Sequence, residues 1–138
     1  MRRLATLALL GSFIACAHRG VTIPDSTDVR WKPIASTPGA FRLDVRGAPD
    51  QEGAFLYLLK LTASTEVPVH RHSVVLRATL RRGAQTIVLE PVGLPARTIV
   101  LRPGDVFEIP AGVLHRESFV GASVVALSGV GPVKTERP

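Results

Sequence analysis

The chain holds a single cysteine, Cys16, so it can form no intrachain disulfide and no metal site built on several thiolates. Long apolar runs are equally scarce. Only residues 4–15, directly behind the basic pair Arg2 and Arg3, form one, and it falls short of the roughly 20 residues a membrane-crossing helix needs. That excludes a polytopic membrane protein. Aromatic residues are few, with five Phe, one Tyr and one Trp, and beyond residue 15 only Arg81 and Arg82 are adjacent basic residues. No aromatic platform alternates with a basic stripe, so the excess of 17 Lys and Arg over 11 Asp and Glu does not point to nucleic acid. Gly-x-Ser-x-Gly, a Gly-rich phosphate loop ending in Lys-Ser or Lys-Thr, and Cys-x-x-Cys are all missing.

What is present begins with an address. The run at 4–15 has the length of the apolar middle of a secretory signal, so residues 1–15 are read as a signal peptide. Phe13-Ile14-Ala15-Cys16 resembles a bacterial lipobox, which implies lipidation of Cys16 and a membrane anchor through that lipid. A thioether would also cap a thiol that is otherwise free in an oxidising compartment. Ala17 stands where Asp would retain a lipoprotein at the inner membrane. The expected location is the periplasmic side of the outer membrane, or the periplasm if the signal is an ordinary one. Removing residues 1–15 from 138 leaves 123, enough for one hydrophobic core, and removes two of the 17 basic residues, leaving 15 against 11, or +4.

Residues 16–40, with Pro24, Pro33, Pro38 and Gly39, read as a lipidated tether and an irregular approach. From 41 to 138, runs rich in Val, Leu, Ile, Phe and Thr alternate with Gly and Pro. They lie at 41–45, 54–62, 66–70, 73–80, 85–90, 97–101, 105–109, 114–120 and 123–129. Turns are expected at Gly47-Ala48-Pro49-Asp50, Arg82-Gly83, Pro91-Val92-Gly93 and Arg102-Pro103-Gly104-Asp105. No helical stripe with caps competes. The pattern predicts an all-β domain, a sandwich or a barrel.

Of the four histidines, His18 falls in the tether without chemical company. His70 and His72 are two apart in an extended run, so both imidazoles share one strand face and can converge on one ion. His115 follows Gly104 and Pro110-Ala111-Gly112, a turn-rich frame that can bring a later strand alongside. Counting in twos from His115 puts Glu117 and Phe119 on its face, making Glu117 a candidate fourth ligand; a local bulge would instead turn it outward towards Arg116 or Arg71. Glu66 shares the parity of His70, but Pro68 intervenes. Ser73 points to the opposite face from His72. Tyr57 and Lys60, on one core strand, could each reach a cavity with a polar tip.

Two motifs resemble those of the cupin family. The second reads Gly104-Asp105-Val106-Phe107-Glu108-Ile109-Pro110-Ala111-Gly112-Val113-Leu114-His115, a full match to Gly, five residues, Pro-x-Gly, two residues and His. The first gives His70-Arg71-His72, then Leu76 where Glu is expected, then Gly83; Phe119 replaces the usual Asn of the second. The resemblance spans residues 55–130 and implies a double-stranded β-helix, or jelly-roll barrel, with one divalent ion held between strands from both motifs. Three neutral imidazoles suffice for a catalytic metal, and nitrogen-rich ligation suits Fe, Zn, Ni, Cu or, less strongly, Mn. Without the motif's carboxylate the ion keeps its full charge, which favours an anionic ligand.

The leading expectation is an exported cupin domain binding a divalent metal through His70, His72 and His115 and a small molecule in the barrel mouth, with Fe(II)-dependent dioxygenation as the chemistry if it is an enzyme. The competing expectations are a non-catalytic binding module and a structural lipoprotein with a degenerate site. Barrels of this kind often pair strand edges, so a homodimer is compatible with the sequence.

Overall fold

The computed structural model describes residues 22–25, 27, 28 and 30–138. The expected signal peptide, His18 and the lipidation site Cys16 lie outside the described residues. The strands are β1 (Lys32–Pro33), β2 (Ala40–Arg46), β3 (Gly53–Leu61), β4 (Thr65–His72), β5 (Leu76–Glu90), β6 (Arg97–Leu101), β7 (Val106–Ile109), β8 (Leu114–Gly131) and β9 (Thr135–Glu136). Among the described residues there is no helix, and every strand pairing is antiparallel. The all-β jelly roll expected from the sequence is what the chain forms.

Two long bent strands organise it. The first part of β5 pairs with β7 and with the second part of β8, which also pairs with β3; β2 and β1 follow at that edge. The second part of β5 pairs with β6 and with the first part of β8, which also pairs with β4, and β9 adds to β4. Two curved layers thus share β5 and β8. Their facing sides meet in a core that includes Phe55, Leu61, Leu76, Leu80, Ile87, Leu101, Ile109, Phe119 and Val125.

The sequence pattern divides β5 and β8 into four strands, with a turn at Arg82-Gly83. The structure keeps both strands continuous and turns the corner with irregularities between Leu80 and Ala84. The reason is parity. Leu76, Ala78 and Leu80 point inward before the corner, and Gln85, Ile87 and Leu89 after it. Even positions give way to odd ones, which only an extra residue can achieve without exposing one half of the strand. Gly83 sits there with φ +87°, and a Cβ on it would overlap Ser123 Oγ and approach the Ala122 carbonyl at 2.7 Å.

The outer side of the β2–β3–β8 layer is also covered. Trp31, Leu43, Leu58, Val124 and Ala126 form a second apolar cluster, and the Trp31 indole N–H donates to the Asp25 carbonyl at 3.0 Å. Lys60 belongs here, its ammonium 4.4 Å from the Trp31 ring centroid and 5.0 Å from that of Phe41. It does not reach the cavity, whereas Tyr57 does.

Gly83→Ala should therefore cost about 2 kcal/mol or more, combining a left-handed backbone with overlap against β8. Urea unfolding would show a lower midpoint at unchanged slope.

Candidate metal centre

Pairing between β4 and β8 sets His70 directly opposite His115. The ladder shifts between Val67 and His70, across Pro68, which cannot donate to it. That shift spoils the parity count for Glu66, which is exposed while His70 is buried. Behind β7, the Pro110–Gly112 turn returns the chain to His115. Gly112 adopts φ +74° and donates its N–H to the His72 carbonyl at 2.8 Å, fastening the second motif to the first.

The three imidazoles meet. Their ring centroids lie 4.3 Å apart for His70 and His115, 4.7 Å for His70 and His72, and 5.1 Å for His72 and His115. One nitrogen from each falls within 4.8 Å of the others. His70 Nε2 and His72 Nε2 are 3.2 Å apart. Two nitrogens bound at about 2.1 Å to one ion with tetrahedral or octahedral angles would sit about 3.0–3.4 Å apart. The spacing fits a shared cation.

The other ring nitrogens explain the orientation. His70 Nδ1 donates to the Pro68 carbonyl at 2.7 Å and His115 Nδ1 to the Val113 carbonyl at 2.9 Å. A carbonyl only accepts, so both rings carry a proton on Nδ1 and turn Nε2 towards the cluster. His72 Nδ1 lies 3.0 Å from Thr135 Oγ1, a hydroxyl able to serve either tautomer. His115 Nε2 is fully buried with no hydrogen-bond partner. A buried bare acceptor is costly unless something completes it.

Electrostatics agree. Burial, with the neighbouring His70 and His115, pushes His72 down to about 3. Burial also lowers His115, against the pull of the Val113 carbonyl and with help from His70. Both rings are neutral at neutral pH, the form a metal requires.

Glu117 points inward, as the count in twos from His115 anticipates, and is buried. Its Oε1 lies 3.7 Å from His115 Nε2 and 3.9 Å from His70 Nε2, too long for hydrogen bonds. Its Oε2 accepts from Gln85 Nε2 at 2.7 Å. Burial raises its carboxyl, while His70 and the Gln85 hydrogen bond work in the opposite direction. The outward alternative is occupied otherwise: Arg116 pairs with Glu90 and Arg71 with Glu136. Leu76, where the motif resemblance places Glu, is buried in the core and lines the cavity.

Beside the histidines opens a cavity of about 470 Å³, within the range of small-molecule sites. Its walls include His70, His72, Glu117, Tyr57, Arg42, Leu59, Leu61 and Ile109, and its rim includes Lys32, Thr37, Thr135 and Arg137. Lys32, Pro33, Ile34, Ser36 and Thr37, in the segment read from sequence as an irregular approach, thus form part of the wall. Gln85 and Thr135 also escape sequence reasoning. Gln85 shares the inward parity of Ile87, but Thr135 lies 63 residues from His72 and no spacing links them.

No protein-family profile and no curated relative matches the chain. Solved structures do. An RmlC-like cupin from Shewanella frigidimarina superposes with TM-score 0.60 at 16% identity, over 76% of this chain and 86% of that one. Salicylate 1,2-dioxygenase from Pseudoaminobacter salicylatoxidans gives 0.61 at 18%, over 76% and 30%, and oxalate decarboxylase from Bacillus subtilis gives 0.54 at 18%, over 67% and 25%. The chain therefore spans under a third of the length of either enzyme. The likeness establishes the cupin fold.

Thr135→Val, which keeps the shape and removes the hydroxyl, should lower Co(II) affinity about 10- to 100-fold by freeing the His72 ring. Competition against a chromophoric chelator would measure it, with the folded spectrum unchanged.

Proposed function

We propose that the protein is a metal-dependent cupin in which His70, His72 and His115 hold one divalent transition-metal ion, Glu117 supplies a fourth donor, and the adjoining cavity receives a small molecule. The observation that carries this is the convergence of three imidazoles whose Nδ1 atoms are already engaged, leaving His115 Nε2 buried and uncompleted. Packed structural histidines would have used that nitrogen.

When bound, such an ion supplies Lewis acidity and, as iron, one-electron chemistry with dioxygen. The chain's own groups prepare the site. Pro68 and Val113 carbonyls fix two ring orientations, and Gln85 holds one oxygen of Glu117 so that the other faces the histidines. Leu59, Leu61, Leu76 and Ile109 keep the cavity apolar. The dioxygenase among the similar folds supports oxygenation as the reaction class. Leu76 in place of a carboxylate favours a second reading, a binding barrel with a vestigial centre.

Elemental analysis of untagged protein separates the two: about one equivalent of a transition metal is expected, falling at least tenfold in His115→Ala, with Glu117→Gln retaining metal at lower affinity. Metal content that is low in the parent, or equal in parent and His115→Ala, would leave only the vestigial reading.

We further propose, from the apolar run at 4–15 and the lipobox-like Phe13-Ile14-Ala15-Cys16, that the protein sits at the periplasmic face of the outer membrane, tethered through Cys16. Labelled palmitate should enter the parent and be absent from Cys16→Ser, which should appear in the soluble periplasmic fraction.

A further inference from the structure

Arg42, on β2, faces the cavity lined by His70 and His72 and also lines an adjoining cavity of about 260 Å³ together with Tyr57 and His72. Asp44, two residues along the strand on the same side, grips one edge of its guanidinium. Nε lies 3.0 Å from Oδ1 and Nη2 donates to Oδ2 at 3.2 Å. The guanidinium carbon also lies 5.8 Å from the centre of the Tyr57 ring. Only the Nη2 contact is a hydrogen bond, because Asp44 Oδ1 is buried without a hydrogen-bond partner, but the ion pair still turns the guanidinium so that its other edge is directed away from Asp44. Nη1 on that edge has no acceptor among the described residues.

The surroundings select for charge. Lys32 and Arg137 stand at the rim, and among the described residues Glu117, one oxygen of which is engaged with Gln85, is the only acidic residue lining the larger cavity, with Asp50 lining the smaller one. Tyr57 keeps its proton, because burial and then Glu117 raise its phenol, so it offers a donor and no negative charge. The wall they share with the histidines also carries the aliphatic side chains Leu59, Leu61, Leu76 and Ile109. A cationic fork, a phenol donor and an apolar wall match a molecule with a carboxylate at one end and an apolar body.

We propose that the cavity binds a small carboxylate with an apolar body, whose carboxylate is anchored on Arg42 with help from Tyr57 while the body extends towards the histidines. This rests on reading the cavity as the ligand site. It does not require the carboxylate to sit on the metal.

The test is calorimetric titration of the full chain with benzoate and with its neutral analogue benzamide, in metal-loaded and chelator-stripped protein. Benzoate should bind about tenfold or more tighter than benzamide in both forms, as a charge-assisted fork predicts. Arg42→Gln should abolish that preference, Arg42→Lys should keep part of it, and Tyr57→Phe should reduce it several-fold. Metal content should be unchanged in all three. A preference that survives in Arg42→Gln, or that exists only in the metal-loaded protein, would overturn the anchor, as would equal or absent binding of both probes. Should the parent hold no metal, the metal reading falls while the benzoate comparison in stripped protein still decides on Arg42. Thermal unfolding of each variant guards against misfolding, and Arg42→Lys carries the test if Arg42→Gln fails to fold.

Discussion

The antiparallel pairing that sets His70 opposite His115 is the contact on which the rest depends. A strand alternates its side chains with period two, so this one register brings His72 beside His70 and Glu117 beside His115 on the same inward side. Slipping one strand against the other by one residue would turn that strand's two site residues outward and break up the cluster. Several interactions hold the register. Gly112 bonds to the His72 carbonyl, Gly121 N–H donates to Ser64 Oγ at 2.8 Å, and Phe119 and Val67 pack into the shared core.

The histidine cluster then poses an electrostatic problem that the fold leaves open. Three imidazoles and a carboxyl group share a desolvated corner, and the outward nitrogens of the rings are tied to backbone or hydroxyl partners. Gln85 satisfies one oxygen of Glu117, but its own Oε1 is buried without a partner, as is His115 Nε2. Incompletely satisfied polar groups in an otherwise well-packed core mark a place selected for something other than stability. On the outer side of the other layer, Trp31, Leu43 and Leu58 simply close the surface, with no such compromise among the described residues.

Much of this was legible in the chain. The His-x-His pair, the Pro-x-Gly turn before the third histidine and the inward count to Glu117 each follow from strand or turn geometry. The corner at Gly83 was not, because an Arg-Gly pair reads equally as a hairpin turn and as a bulge until a partner strand fixes the register. Lys60 was within reach of the same arithmetic, since it lies three residues from Tyr57 and an odd spacing puts the two on opposite faces. Thr135 lay beyond it: its tie to His72 depends on β9 adding to β4 through the Arg71–Glu136 ion pair and the Ser73–Lys134 hydrogen bonds. Nor does any local pattern reveal that Arg42, paired with Asp44, faces the cavity.

Because β5 and β8 run through both layers, the layers can part only by bending both strands at the corner between Leu80 and Ala84, against the ladder that joins them from Arg77 to Glu90. Traffic into the interior must therefore pass over the lip, where β1 and β9, the shortest strands at two residues each, adjoin the opening. A stiff vessel with soft edges gives a guest a narrow doorway without asking the vessel itself to move.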